Sequence, residues 1–299
     1  MGGVNSWHSF YYTIGNKEKA HLYFPDDLFY DKIDRNLNDW KTAPVIDDKN
    51  LYDLFFYDVP HPKVIARLVG GIYEDGSYNI ISFDDVVKLC EKEERVIVKV
   101  PYGSSGGHGI QFWSKESGKS LTEILSQMKT FVIQEIVNQH EEMKKLHSDS
   151  LNTIRVMTMT DGNEVKPLSA IVRMGVGDSK VDNVSSGGIA CGINKDGSLK
   201  NFAFDGKGRR YDVHPQGAHF EDTVIPNFDT CISLCKKLAP RVARFSKLIS
   251  WDFAIDAEAQ PLLIEANLYG GELDFHQMCN GPIFGDEETT KRMINQYVV

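Results

Sequence analysis

Apolar positions change period several times along the chain, and each change predicts a new element. Residues 95–100 (RVIVKV), 131–137 (FVIQEIV), 154–160, 167–174, 251–257 and 261–267 are short apolar or β-branched runs and predict strands. Asp161–Gly162 and Asp196–Gly197 supply hairpin turns, and Asp75–Gly76 closes two extended pieces at 64–69 and 70–73. Helical spacing appears in 83–94, where Phe83, Val86, Val87 and Cys90 form a stripe behind Ser82 as N-cap. It returns in 120–128, with Leu121, Ile124, Leu125 and Met128 on one face, and residues 26–41 also read as helical. The longest predicted helix is 230–248, with Cys231, Cys235, Leu238, Val242 and Phe245 in line and Pro240 expected to kink or split it. Residues 201–228 read as irregular. Strands flanked by helices, with several hairpins, predict an α+β chain rather than regular βαβ alternation.

Composition narrows the function classes. The chain has 299 residues, 41% apolar and 25% charged, the ordinary range of globular proteins with an ample core. A formal charge of -9 argues against general nucleic-acid binding, although a few local lysines suffice for one triphosphate. Five cysteines, Cys90, Cys191, Cys231, Cys235 and Cys279, make no disulfide framework. The N-terminal residues lack the basic and apolar regions of a signal peptide, and Gly2 with Ser6 is a weak myristoylation pattern. No apolar run approaches the roughly 20 residues of a membrane helix. The expectation is a cytoplasmic, reduced protein with no membrane span.

Four constellations carry candidate chemistry. In VIVKVPYGSSGGHGI a strand delivers Lys99 to a loop with Gly103, Ser104, Ser105, Gly106, Gly107 and Gly109. Such a loop turns backbone N–H groups toward an anion, and a lysine adds a compact charge. A Gly-rich hairpin turn with no ligand explains it about as well, and it is neither a Walker A sequence nor a GxGxxG fingerprint. Glu265 and Asn267 lie two apart on one strand, so they share a face, and Asp252 lies on the preceding strand. Two carboxylates and an amide oxygen suit Mg²⁺, and carboxylates among apolar neighbours need a cationic partner. Salt-bridged acids are the competing reading. Arg155 and Arg173, on neighbouring strands, each need an anionic partner, and structural pairing is the simpler explanation for either alone. The strand FVIQEIV ends at Glu135 and Val137 and could present backbone groups to a base edge. His140, His147, His214 and His219 share no zinc-site spacing.

In order, these features resemble an ATP-grasp domain from about Lys49 to about Gly271. The strings LNTIRVMT, VDNVSSGGIACGI, HPQG, SWDFAI and IEANL are similar to the sugar-transfer-associated ATP-grasp group and its α-L-glutamate ligase-like relatives. The resemblance implies two α+β lobes gripping ATP between antiparallel sheets, with a short N-terminal extension. The implied division is 1–60 as an N-terminal segment, 61–135 as the small lobe with a Gly-rich flap, and 136–299 as the large lobe. It implies that Lys99 and Lys49 bind nucleotide phosphates, that Gly103 to Gly109 fold over them, and that Gln134, Glu135 and Val137 hold adenine and ribose. Asp252, Glu265 and Asn267 would bind two Mg²⁺, with Glu265 bridging. Arg155 and Arg173 would stabilise the transferring phosphoryl group, and Asn183 with Gly187 and Gly188 would lie near the acceptor. Two departures stand out. Ser250 occupies the place where dipeptide ligases of the superfamily carry an arginine, and Asn267 is followed by Leu-Tyr-Gly-Gly rather than a Pro-Gly turn.

The implied activity is an ADP-forming carboxylate-amine ligase acting through an acyl phosphate, joining an amino acid to an amino sugar or glycan precursor. A kinase of the same fold, a peptide or natural-product ligase, a non-catalytic nucleotide module and a sugar-binding adhesion protein are the alternatives.

Overall fold

The computed structural model describes residues 17–103 and 109–298. The chain divides into two compact units, one of residues 46–138, the other of 17–45 together with 139–298. Residues 46–60, read from sequence with the N-terminal segment, belong to the smaller unit.

The smaller unit is built on an antiparallel five-stranded sheet in the order β2-β1-β5-β3-β4. Its strands are β1 (Val64–Val69), β2 (Ile72–Asp75), β3 (Arg95–Lys99), β4 (Ile110–Ser114) and β5 (Phe131–Glu135). Helix Phe83–Cys90 starts with a capping box: the Ser82 hydroxyl accepts from the Asp85 N–H, and the Asp85 carboxylate accepts from the Ser82 N–H. Its Val86 and Cys90 pack with Ile65, Val96, Val98, Trp113, Leu125 and Phe131 in one core. Helix Leu121–Ser126 is likewise N-capped by the Ser120 hydroxyl.

The larger unit holds seven antiparallel strands in the order β10-β9-β8-β7-β6-β11-β12. These are β6 (Thr153–Asp161), β7 (Glu164–Met174), β8 (Ile189–Ile193), β9 (Leu199–Asp205), β10 (Arg210–Tyr211), β11 (Leu248–Ile255) and β12 (Pro261–Asn267). β11 is buried along its whole length, and Trp251 donates its indole N–H to Thr158 Oγ1 at 2.9 Å. Helix Phe228–Val242 buries the predicted stripe through Val242. It ends six residues early and is not split, because Pro240 falls in its last turn and Leu248 already belongs to β11. The predicted helix at 26–41 is a π-helical turn, Phe29–Asp34, flanked by α-helical turns that end at Leu37. Its Phe29, Ile33 and Leu37 pack with Met157, Met159 and Leu273. All five cysteines are free thiols and buried.

Among the described residues, no helix is long and apolar enough to cross a membrane.

Candidate functional site

In the larger unit, cross-strand register gathers the predicted side chains. Glu265 on β12 pairs with Asp252 on β11, which pairs with Arg155 on β6. Residues directly opposite each other on neighbouring strands project to the same face. Asn267, opposite Ser250, and Arg173, opposite Thr153, lie two positions along and share that face. The five residues expected to bind metal or stabilise phosphoryl transfer therefore stand together on one side of four adjacent strands.

Their contacts join two expectations into one. Arg155 grips Asp252 with two bonds, Nε to Oδ1 and Nη2 to Oδ2, each 2.7 Å. Arg173 Nη2 reaches the same Oδ2 at 2.9 Å. Asp252 is 1% exposed, and each arginine 4%. Burial opposes all three charges. The arginines nonetheless hold Asp252 below the usual carboxylate range, and Asp252 with Glu272 holds Arg155 protonated.

Three residues that the sequence reading missed complete the group. Glu272 accepts from Arg155 Nη1 and lies 3.7 Å from Arg173 Nη1. Its backbone is left-handed (φ 58), rare for a residue with a Cβ, just after Gly270 and Gly271. Asp182 accepts from the Thr153 N–H and hydroxyl and lies 3.6 Å from Arg173 Nε. Burial pushes its carboxyl upward against the pull of Arg173. His276, in helix Leu273–Asn280, bonds Ser169 Oγ through Nδ1 at 2.8 Å, while its buried Nε2 has no partner among the described residues. Burial and then Arg155 lower its pKa to about 3, so the ring stays neutral. No spacing rule pointed to these residues. The only signal was an acid after Gly-Gly and another before Asn183.

Asn183 begins the turn Val184–Ser186, and its carbonyl accepts from the Ser186 and Gly188 N–H groups. It is adjacent in sequence to Asp182, so Thr153 and Arg173 tie its neighbour to the arginine centre. A Cβ on Gly188 would lie 2.6 Å from the carbonyl oxygens of both Asp182 and Met174, so glycine is required there.

The donor set fits a divalent cation. Carboxylate oxygens offer about four lone-pair sites, and the arginines take three on Asp252, which leaves one on Oδ1. Glu265 and Asn267 add hard oxygens on the same face. The acids Asp252, Glu265, Glu272 and Asp182 also outnumber the two guanidiniums. Among the described residues, no group of three His, Cys, Asp or Glu is arranged to hold a metal alone.

The smaller unit places its own predicted residues separately. Lys99, at the end of β3, donates from Nζ to Gln134 Oε1 at 2.9 Å. The Lys49 N–H donates to Pro101 O at 3.0 Å, which fixes Lys49 beside the segment leading from Lys99 to Gly103. Gly103 has φ 67, and a Cβ there would meet nothing within 4 Å among the described residues; a Cβ on Gly109 would lie 2.7 Å from Val100 Cγ2. Ser104, Ser105, Gly106 and Gly107 lie outside the described residues. Glu135 Oε1 accepts from the Lys63 N–H at 2.9 Å. Val137 is half-buried just past β5.

No curated protein matches this sequence. Among solved structures, the chain is similar to the biotin carboxylase domain of Hydrogenobacter thermophilus 2-oxoglutarate carboxylase, crystallised with MgADP, ADP and bicarbonate. The identity is 13% and the TM-score 0.51, over 85% of this chain and 46% of that one, so this chain spans about half that length. D-cycloserine synthetase DcsG gives 13% identity and TM-score 0.47, over 83% of this chain and 70% of that chain. D-alanine–D-alanine ligase from Bacillus anthracis gives 16% and 0.43, over 83% and 66%. The family model of sugar-transfer associated ATP-grasp matches residues 29–291, nearly the whole chain. The chain belongs to the sugar-transfer associated ATP-grasp family.

Proposed function

We propose that this protein is an ADP-forming carboxylate-amine ligase that uses Mg-ATP and joins an amino acid to an amino sugar or glycan precursor. The observation that carries the reading is the row Glu265–Asp252–Arg155, with Arg173 and Asn267 beside it. It sets two fixed cations against an excess of acids on one sheet face.

Asp252 Oδ1, Glu265 and Asn267 would hold Mg²⁺, which when bound neutralises phosphate oxygens and polarises the transferring group. Arg155 and Arg173 are held in place by Asp252 before any ligand arrives, so little reorganisation is needed to meet developing charge. Lys99 and Lys49 supply compact charges for phosphates, Gln134 positions the Lys99 ammonium, and the 103–109 segment supplies backbone donors. A carboxylate oxygen attacks the γ-phosphorus, and ADP leaves. The amine then attacks the acyl carbon, inorganic phosphate leaves, and the amine proton passes to solvent or a nearby base. No side-chain nucleophile is needed. The MgADP in the biotin carboxylase neighbour and the family's sugar-transfer association support the cofactor and the sugar-bearing acceptor.

The test is a phosphate-release screen over amino acids paired with amino sugars, with mass detection of the conjugate. The expected result is a conjugate formed with one ADP per bond and abolished in Glu265→Gln with the fold intact. A stable phosphorylated product without acceptor, or full ADP release by Glu265→Gln, would overturn the reading.

A further inference from the structure

A second buried polar group lies in the smaller unit. Arg67 stands in the middle of β1 opposite Val132, and Val132 stands opposite Lys99. All three side chains project from one face, with the Arg67 backbone two strand spacings, about 10 Å, from that of Lys99. Arg67 is 0% exposed. Its Nη2 donates to Asp53 Oδ2 at 2.6 Å, and its guanidinium carbon lies 4.0 Å from the centre of the Tyr78 ring. Nε and Nη1 have no acceptor among the described residues. Asn50, one helical turn before Asp53 and 2% exposed, has neither amide atom bonded among the described residues.

Buried polar groups are ordinarily paired, so unpartnered atoms on Arg67 and on Asn50, three residues from Arg67's partner Asp53, point to a ligand. The donor count says which kind. Nε carries one hydrogen, Nη1 two and Asn50 Nδ2 two, against a single acceptor, Asn50 Oδ1. A water would add two more hydrogens, whereas an oxyanion brings only acceptors. A guanidinium with its Nε edge open matches the two oxygens of a carboxylate or phosphate. The cover is Tyr78, whose hydroxyl donates to Asp53 and whose φ of 67 is unusual for an aromatic residue. Its turn is fastened by Asp75 Oδ1, which accepts from the Ser77 and Asn79 N–H groups.

We infer that Arg67 and Asn50 form a closed oxyanion pocket, gated by the Tyr78 turn, that receives a phosphate or carboxylate group. The pocket does not depend on the ligase reading.

The test is calorimetric titration and thermal unfolding of the full chain with sodium phosphate and sodium acetate in separate arms. Sodium chloride of equal ionic strength is the control. The expected result is saturable binding of one oxyanion with a rise in Tm that chloride does not give, and the arm that responds identifies the group. Lys99→Met should keep that response. Arg67→Met with Asp53→Asn, which removes both charges together, should weaken binding about tenfold or more. Asn50→Leu leaves the ion pair in place and should also weaken it, which guards against misfolding of the double variant. No binding by either anion, undiminished binding in these variants, or loss of binding in Lys99→Met would overturn the pocket.

Discussion

Arg155 and Asp252 show how much of this protein's behaviour is decided at single side chains. Both are buried and satisfied chiefly by each other, so removing one strands a charge. Arg155→Met should cost about 3–5 kcal/mol in urea denaturation, and adding Asp252→Asn should recover part of that loss. Glu272 allows a cleaner comparison. Ala and Gly both delete its carboxylate, but only Ala keeps the left-handed strain, so Glu272→Gly should be more stable than Glu272→Ala by about 1 kcal/mol. Asp274, two residues on, titrates near neutrality. Burial first, then Asp26 and Glu272, raise its pKa to about 7. The native state thus holds a proton that the unfolded chain releases from about pH 4 upward. This contribution is complete at low pH and erodes as pH rises toward 7. Asp274→Asn escapes the erosion, so its Tm advantage over wild type should widen from about pH 5 to about pH 7.5.

Elements decide which of these residues meet. The β-branched runs and turn residues were enough to expect most of the strands, though β10 and most of β9 fall within 201–228, which read as irregular, and period two was enough to put Glu265 and Asn267 on one face. The sequence also said that Arg155 and Arg173 required anions and that Asp252 required a cation. It could not say that they satisfy one another, because the pairing depends on β6 lying beside β11, a neighbour relation between residues nearly a hundred positions apart. Glu272 was invisible for a related reason: it lies in a turn, where no periodicity assigns a direction. The overlong helix at 230–248 arose because Leu248 extends the apolar pattern while serving the strand. The turn Val184–Ser186 gives a test at this scale. Gly188→Ala would drive a Cβ onto two backbone oxygens that cannot rotate away. It should destabilise the larger unit by about 1–3 kcal/mol, and the loss should not be relieved by Mg-ATP.

For the whole molecule, residues 46–138 form a unit with its own sheet and core, inserted in sequence within the other, and each unit carries part of the candidate chemistry. Thermal unfolding with Mg-ATP should show a higher Tm than with ATP and chelator, and Glu265→Gln should abolish the difference. The cysteines bear on how such experiments are done. Every thiol is enclosed, and burial pushes those of Cys90, Cys191 and Cys231 up to about 12. Thiolate is the reactive form, so the folded chain should ignore maleimides. A single cysteine introduced at the exposed Tyr102 would then be the sole labelling point, and a fluorophore there, three residues from Lys99, would test the proposed nucleotide site without any native cysteine having to be removed first.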